Sequence, residues 1–565
     1  MAITSWQEQA RKKRESILAA IPPEWRLPQP LPSAEEQRDV TGPYVQQFLS
    51  AREVEITESD AVTITKYTTT GKWTATEVVS AFCHRAALAH QLTNCLHEIF
   101  FDQAIAHARK LDSQFAAGNG PIGPLHGLPV SFKDQFHVKG VETTMGYVGW
   151  IDTFEGVKGT GKERNFDSEL VRELKAMGAV PFCKSSLPHT VMSGVTWNNI
   201  VGFTLNPRNR LMSCGGSSGG EGALISMRGS PVGIGTDIGG SIRTPSAFNG
   251  LYGIRPSFGR IPYGGVANSM PGQNTVPSVC GPIATSAGSL KLMMKSILSQ
   301  QPWLHDPAVV DLPWREERYT AWRSGDRLAF GLLRTDLDVN PQPPVKRAFD
   351  AVVDAITAMG HEVIEWNPPS HHTALALAVE AFTADAGLDI FHHIGLSGET
   401  LMEVISEIYL GETGKLQAPK TADQIWDTNV RLRKFQKEYM DYWNSTAKMT
   451  SSGKPVVAVL SPVSAVAAYR FDKTNPSAFT PWVNTLDYTS VAFPVTQVHK
   501  DIDVLDVNYK PISDSDREIW EQYDPELQHG TPVGLQLVGR RLEEEKILGL
   551  VGMISEALSL KDRSA

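Results

Sequence analysis

From residue 74 onward the apolar residues fall into two periods, and these predict most of the chain's elements. In "TATEVVSAFCHRAALAHQ", Val78, Phe82, Ala86 and Ala89 share one helical face. Thr74 and Glu77 stand at capping-box spacing and mark where that helix starts. "PLHGLPVSFKDQF" switches to period two, a short strand with Val130 and Phe132 on one side and Ser131 and Lys133 on the other. "DSELVRELKAMGAVPFC" reads as a capped helix, a stop at Gly178 and a buried strand. The grammar recurs in "RLAFGLL", "VKRAFDAVVDAITAMG" and "HEVIEW", which predict a strand, a helix and a strand in one βαβ unit. "QIWDTNVRLRKFQKEYMDYW" predicts a long surface helix. "PVVAVLSP", "SVAFPVT" and "VGLQLVG" predict core strands, and "EEEKILGLVGMISEAL" a closing helix. Helices alternating with apolar strands indicate an α/β architecture.

Residues 1–70 differ, reading as short helices joined by proline-rich turns such as "IPPEWRLPQPLP". The chain has 565 residues, and a length prior of roughly 150 residues per domain allows three or four domains. No low-complexity linker or internal repeat divides it, so the expectation is one large domain over 71–565 with the 1–70 segment packed on it.

Charge and cysteine content narrow the function classes. A net charge of −9 with no basic block argues against nucleic acid and against anionic membranes. No apolar run is long enough to span a bilayer. The five cysteines are scattered without a C-x-x-C pair, which fits a reducing compartment. "MAITSWQEQARKKRESILAAIPPEW" lacks the apolar core of a signal peptide, so the expected location is cytoplasmic.

Candidate chemistry sits in two glycine–serine clusters, "SCGGSSGGEGAL" and "TDIGGSIRTPSAF". The stretch between Ser217 and Ser241 is long enough for a helix and a strand to return the chain and bring the two hydroxyls together. Such clusters are most often tight turns. Three features point elsewhere: Asp237 and Arg243 flank the second cluster as a loop clamp, the surroundings are apolar, and Lys133 ends an apolar strand. Glycines let backbone N–H groups converge on a developing oxyanion. A desolvated lysine, its pKa of about 10.4 lowered by up to roughly 3–5 units, can deprotonate a serine. Other patterns fail. Arg243 breaks a G-x-S-x-G elbow around Ser241, and neither a P-loop nor H-E-x-x-H occurs. His371–His372 and His392–His393 read as surface or core histidines, not metal ligands, and Cys214 as a small buried residue.

"CGGSSGGEGALISMRGSPVGIGTDIGGSIRTPSAF" resembles the signature block of the amidase signature family of serine hydrolases, and "GPLHGLPVSFKD" resembles that family's lysine strand. "LTNCLHEIF", "LNPRN", "LYGIRPSFGRIPY" and "YDPELQHGTPVGLQLVGRRLEEEK" are similar to its fungal acetamidase or general amidase group. The resemblance implies an α/β fold with a twisted mixed sheet covered by helices on both faces. It also implies a Ser–Ser–Lys triad, with Ser241 the nucleophile, Ser217 the bridging serine and Lys133 the base. The N–H groups of Ile238, Gly239, Gly240 and Ser241 would form the oxyanion hole. Ser218, Asp237 and Arg243 would support these residues, and "PHTVMSG" would set Val191 and Met192 beside the acyl group. A cis peptide at Gly216–Ser217 is implied as well.

The activity so implied is hydrolysis of carboxylic amides through an acyl-enzyme, with no metal or organic cofactor. The partner expected is a small-molecule amide with a short, neutral acyl group, with a homo-oligomer possible. A roomy pocket from residues 370–450 would instead suit aryl amides or carbamates. An esterase, a glutamine-hydrolysing amidotransferase subunit and a non-catalytic anion-binding module are the remaining alternatives.

Overall fold

The computed structural model describes residues 5–336, 338–411, 414–471, 473 and 479–564, with the side chains described as far as residue 560. Thirteen strands run in chain order as β1 (Leu96–Ile99), β2 (Pro129–Lys133), β3 (Val180–Ser185), β4 (Trp197–Asn198), β5 (Gly202–Phe203), β6 (Val232–Asp237), β7 (Tyr252–Arg255), β8 (Val279–Ala284), β9 (Ala329–Leu332), β10 (Glu362–Glu365), β11 (Ala458–Pro462), β12 (Ser490–Gln497) and β13 (Pro532–Val538). Eleven form one sheet in the order β1-β3-β2-β6-β8-β7-β12-β13-β11-β9-β10. The sheet is mixed: β2 pairs in parallel with β3 and β6, β9 in parallel with β10 and β11, and the middle is antiparallel. The β4–β5 ribbon stands apart and is absent from the sequence reading, because two-residue strands leave no periodic signal.

The helices used below are α1 (Trp6–Ala19), α2 (Ala75–Thr93), α3 (Glu169–Ala176), α4 (Gly219–Ser226), α5 (Arg243–Phe248), α6 (Pro343–Ala358), α7 (Ala422–Ser445) and α8 (Glu544–Ser564). They cover both sheet faces, as the alternation of strand residues shows. Leu460, Val491, Phe493, Leu535 and Leu537 share a core with Val352 of α6 and Val551 of α8. Val459, Ala492 and Val538 point the other way, into a core with Phe435, Tyr439 and Trp443 of α7. The expected α/β architecture is therefore the observed one. The βαβ reading of β9, α6 and β10 holds, with Glu362 opposite Ala329 in the parallel pair.

Three local expectations need correction. Helix α2 buries fourteen of its residues, far more than the single stripe through Val78 and Ala89, because the helices at 51–57 and 101–114, α4 and strands β2 and β3 pack on it from several sides. Thr74 caps it by accepting from the Glu77 N–H at 3.1 Å, but the reciprocal half of the box is missing, since Glu77 pairs with Arg52 at 2.8 Å. Ser168 stands at the N-cap of α3 without a side-chain cap bond; its Oγ accepts from the His137 N–H and donates to the Gly265 carbonyl. Tertiary partners outbid the local ones in both cases. At the N-terminus, short helices at 43–46, 51–57 and 61–68 follow α1, and Val45, Ile56 and Ile64 join the same core as the sheet.

Candidate active site

The site lies at the carboxyl end of two parallel neighbours, β2 and β6, where open α/β sheets place their ligands. Residues of β2 alternate: Val130 and Phe132 enter the apolar core, while Ser131 and Lys133 face α4 and its preceding loop. Lys133 is 0% exposed. Its Nζ donates to Ser217 Oγ at 2.7 Å and to Thr236 Oγ1 at 2.8 Å. Thr236 in turn donates to Gln135 Oε1 at 2.6 Å. Among the described residues no carboxylate hydrogen-bonds the amine. Burial pushes the Lys133 pKa down to about 7, although Asp237 and Glu221 favour its charge from farther away.

Each serine cluster forms a turn leading into a helix. The Gly216–Ser217 peptide is cis, as the resemblance implied. Ser218 ties the two turns together: its N–H donates to the Ser241 carbonyl at 3.1 Å, and its Oγ exchanges hydrogen bonds with the Thr236 backbone at 3.2 Å. Among the described residues no direct hydrogen bond joins the hydroxyls of Ser217 and Ser241. Ser241 is half-buried, whereas Ser217 and Ser218 are buried.

The clamp around the second turn is larger than the sequence indicated. Arg243 grips Asp237 with two bonds of 3.0 Å, Nε to Oδ2 and Nη2 to Oδ1. Its remaining donors reach the Thr480 carbonyl at 3.1 Å, Gln536 Oε1 at 3.0 Å and Asn484 Oδ1 at 2.6 Å. Asn484 Nδ2 also donates to Asp237 Oδ1 at 2.8 Å. Burial alone would raise the Asp237 pKa, but the Arg243 guanidinium holds it well below the usual carboxylate range.

Four N–H groups were expected to point at one anion, and the structure divides them. The Gly240 N–H donates to Asp237 Oδ1 at 2.8 Å, so that donor is engaged by the clamp. The N–H groups of Ile238, Gly239 and Ser241 have no protein acceptor among the described residues, and these three residues keep solvent access. Gly240 has φ +135°, and a Cβ there would lie 2.5 Å from Thr480 Oγ1, which itself donates to the Gly239 carbonyl at 2.7 Å.

Val191 and Met192 lie in the turn after β3. Thr190 and Val191 adopt φ of +72° and +55°, a conformation that β-branched residues rarely take and that clusters at functional sites. Val191 packs with Ile390, Ile394 and Ile405, and Met192 lies against the same cluster. A cavity of about 590 Å³ continues from this segment, lined by Ser193, Trp197, Phe203, Met402, Tyr469 and Phe471 among others, with Glu403, Glu407 and Lys473 also on its wall. It borders the first serine turn: a Cβ on Gly216 would meet the Ser193 carbonyl at 2.8 Å.

Of the other sequence candidates, Cys214 is buried, with its thiol pKa pushed up by burial. His371 is a core residue, stacked on Trp482 and bonded to the Tyr439 hydroxyl at 3.0 Å. His393 Nδ1 accepts from Trp150 Nε1 at 3.0 Å. Among the described residues two other groups bring metal-capable atoms within 4.8 Å, His97–Glu98–Asp134 and Glu169–Glu173–His305. In the first, the ammonium groups of Lys13 and Lys184 already sit on Glu98 and Asp134.

Sequence reading did not find Thr236, Gln135, Thr480, Asn484 and Gln536. Gln536 carried a signal, a polar residue in the apolar run "VGLQLVG"; Thr480 and Asn484 are far away in the chain and carried none.

Similarity to known proteins identifies the family. The profile of the Amidase family matches residues 77–548. An acetamidase of Aspergillus oryzae is 42% identical over 561 residues, covering 99% of this chain and 100% of that protein. An acetamidase of Emericella nidulans is also 42% identical, covering 98% of each. Among solved structures, a fatty acid amide hydrolase superposes with a TM-score of 0.88 at 31% identity, over 97% of this chain and 94% of the other. A bacterial aryl acylamidase, at 19% identity and a TM-score of 0.67 over 88% and 96% of the two chains, shares the fold. The chain belongs to the amidase signature family and is an amide hydrolase.

Proposed function

We propose that the protein hydrolyses small carboxylic amides through a Ser241 acyl-enzyme, with Ser217 and Lys133 as proton relay. The observation that carries this reading is the Lys133 amine: wholly buried, near-neutral in proton affinity and 2.7 Å from Ser217 Oγ. A buried lysine that no carboxylate hydrogen-bonds is costly unless its neutral form is used.

In the first step Ser241 turns its hydroxyl toward Ser217. The Ser241 proton passes to Ser217 as the Ser217 proton passes to Lys133 Nζ. Ser241 Oγ bonds to the amide carbon, and the carbonyl oxygen takes the negative charge. The N–H groups of Ile238, Gly239 and Ser241 receive that oxygen, while the Gly240 N–H stays on Asp237 and keeps the turn in shape. The C–N bond breaks as the relay returns a proton to the leaving nitrogen, and ammonia or an amine departs. Water then attacks the ester carbon by the same route in reverse, releasing the carboxylic acid and Ser241.

For the substrate we favour a short aliphatic acyl group, supported by the 42% identity to two acetamidases across nearly the full chain. The aromatic-lined cavity of about 590 Å³ supports a second reading, an aryl amide or carbamate. We place the enzyme in the cytoplasm; no described helix is long and apolar enough to cross a membrane. The test of the reaction is a fluorophosphonate probe followed by peptide mapping. Label on Ser241 is expected, and label on Ser217 or Cys214 overturns the assignment.

A further inference from the structure

Helix α4 carries one carboxyl group into the interior beside the proposed relay. Glu221, in its first turn, is 0% exposed. Its Oε2 accepts from Ser131 Oγ at 2.6 Å, and its Oε1 has no hydrogen-bond partner. Ser131 and Lys133 are two residues apart on β2 and so share a sheet face. On neighbouring β6, Gly233 stands opposite Ser131. A Cβ at Gly233 would lie 1.8 Å from Glu221 Oε2 and 2.4 Å from Ser131 Oγ, so the missing side chain is what admits the carboxyl.

The charges around Glu221 are few. Ser185 of β3 and the buried thiols of Cys95 and Cys183 face it, and Lys133 is the cation whose field it feels. The other carboxylate that acts on Lys133 is Asp237, which is already matched by Arg243.

We propose that Glu221 is a positioning residue for amide hydrolysis, its carboxyl held on Ser131 as the counter-charge that sets the proton affinity of Lys133. The proposal rests on the reading of Lys133 as the base. When Lys133 takes the proton from Ser217, an ammonium arises at a wholly buried position. An ionised Glu221 favours that ammonium through the low-dielectric interior, and a neutral one does not. Burial pushes Glu221 up to about 7 and Lys133 down to about 7, and each favours the charged form of the other. Without Glu221 the amine would be a weaker base than neutral-pH chemistry calls for.

The experiment is the rate of fluorophosphonate labelling of Ser241 against pH, read in the wild type, Glu221→Gln, Ser131→Ala, Glu221→Asp and Lys133→Ala. Removing the charge in Glu221→Gln is expected to move the acid limb down by about half a pH unit or more. Ser131→Ala, which weakens the ionised carboxyl, moves it the same way by less, and Glu221→Asp restores the wild-type limb. A slower Glu221→Gln enzyme with an unmoved limb overturns the proposal, since a merely structural role would scale the rate at every pH. If Glu221→Gln does not accumulate as folded protein, an unmoved limb in Ser131→Ala overturns it. A wild-type limb in Lys133→Ala brings down the base reading itself. Loss of labelling in Lys133→Ala with an unmoved limb in Glu221→Gln brings down this inference alone.

Discussion

Arg243 holds Asp237 in a two-bond fork, each bond 3.0 Å long, and the same carboxylate accepts the Gly240 N–H at 2.8 Å. The turn that presents Ser241 is thus pinned at both ends by one buried ion pair. Both side chains are 0% exposed, and such a pair contributes most through what happens when it is broken.

Arg243→Met is accordingly expected to destabilise the protein by about 3–5 kcal/mol, because it strands the Asp237 charge among Asn484 and backbone donors. Urea unfolding at neutral pH measures this. Lowering the pH toward the acid range narrows the gap: Asp237 has a depressed folded pKa, so its stabilising share in the wild type is present above the ordinary carboxylate range and is lost as pH falls through the folded value. A variant within about 0.5 kcal/mol of wild type would contradict the role given to the clamp.

Lys133→Met is expected to abolish amide hydrolysis and to raise stability. The folded lysine titrates at about 7, against about 10.4 unfolded. Between those values the unfolded chain binds more protons, so wild-type stability rises with pH across that window. The gain from Lys133→Met is therefore largest below pH 7 and shrinks toward pH 10; after loss of two hydrogen bonds it is on the order of 2 kcal/mol or more at neutral pH. Thermal unfolding across pH checks the trend, and a Lys133→Met protein of lower stability at every pH speaks against a strained, neutral lysine.

Gly240→Ala tests the shape of the second turn. The added Cβ meets Thr480 Oγ1 at 2.5 Å, and L side chains rarely adopt a φ of +135°. The expected result is a loss of activity of about 10²-fold or more, similar to removal of an oxyanion donor, from displacement of the neighbouring N–H groups. Pairing it with Thr480→Ala relieves the contact but not the backbone, so only partial recovery is expected. Full recovery in the double variant would show that side-chain crowding, not backbone conformation, fixes the turn.

The strand and helix order was legible because α3 and α6 carry apolar residues at helical spacing, and β2, β3, β9 and β10 are short apolar runs flanking them. The approach of Lys133 to the first serine turn was legible in a different way, from a lysine that ends an apolar strand and from two glycine–serine clusters, while the roles of Lys133, Ser217 and Ser241 came from the family resemblance. What escaped reading was set by contacts distant in sequence. Ser168 left its capping role for His137 and Gly265, and Glu77 left its box for Arg52. The Gly240 N–H donates to Asp237, where the resemblance implied a free donor. Local pattern names the donors of a turn, but only the closed fold decides which remain free.

Acyl-group size separates the two substrate readings. Short neutral amides are expected to be turned over with the highest kcat/KM, because the chain follows the acetamidases over nearly its whole length. The competing determinant is the cavity walled by Trp197, Phe203 and Met402 beside Ser193, which offers aromatic and thioether surface to a larger group. The two readings separate on a panel of acetamide, hexanamide, an anilide and an oleoyl amide. If the cavity takes the substrate, Trp197→Ala lowers kcat/KM for the anilide by about 10-fold or more, as expected for loss of an aromatic anchor, and leaves acetamide unchanged. If acetamide is the better substrate and Trp197→Ala moves neither, the cavity lies outside the reacting pose and the short-chain reading stands. An oleoyl amide turned over fastest overturns it, because a long chain needs an apolar channel deeper than the reach of a short acyl group.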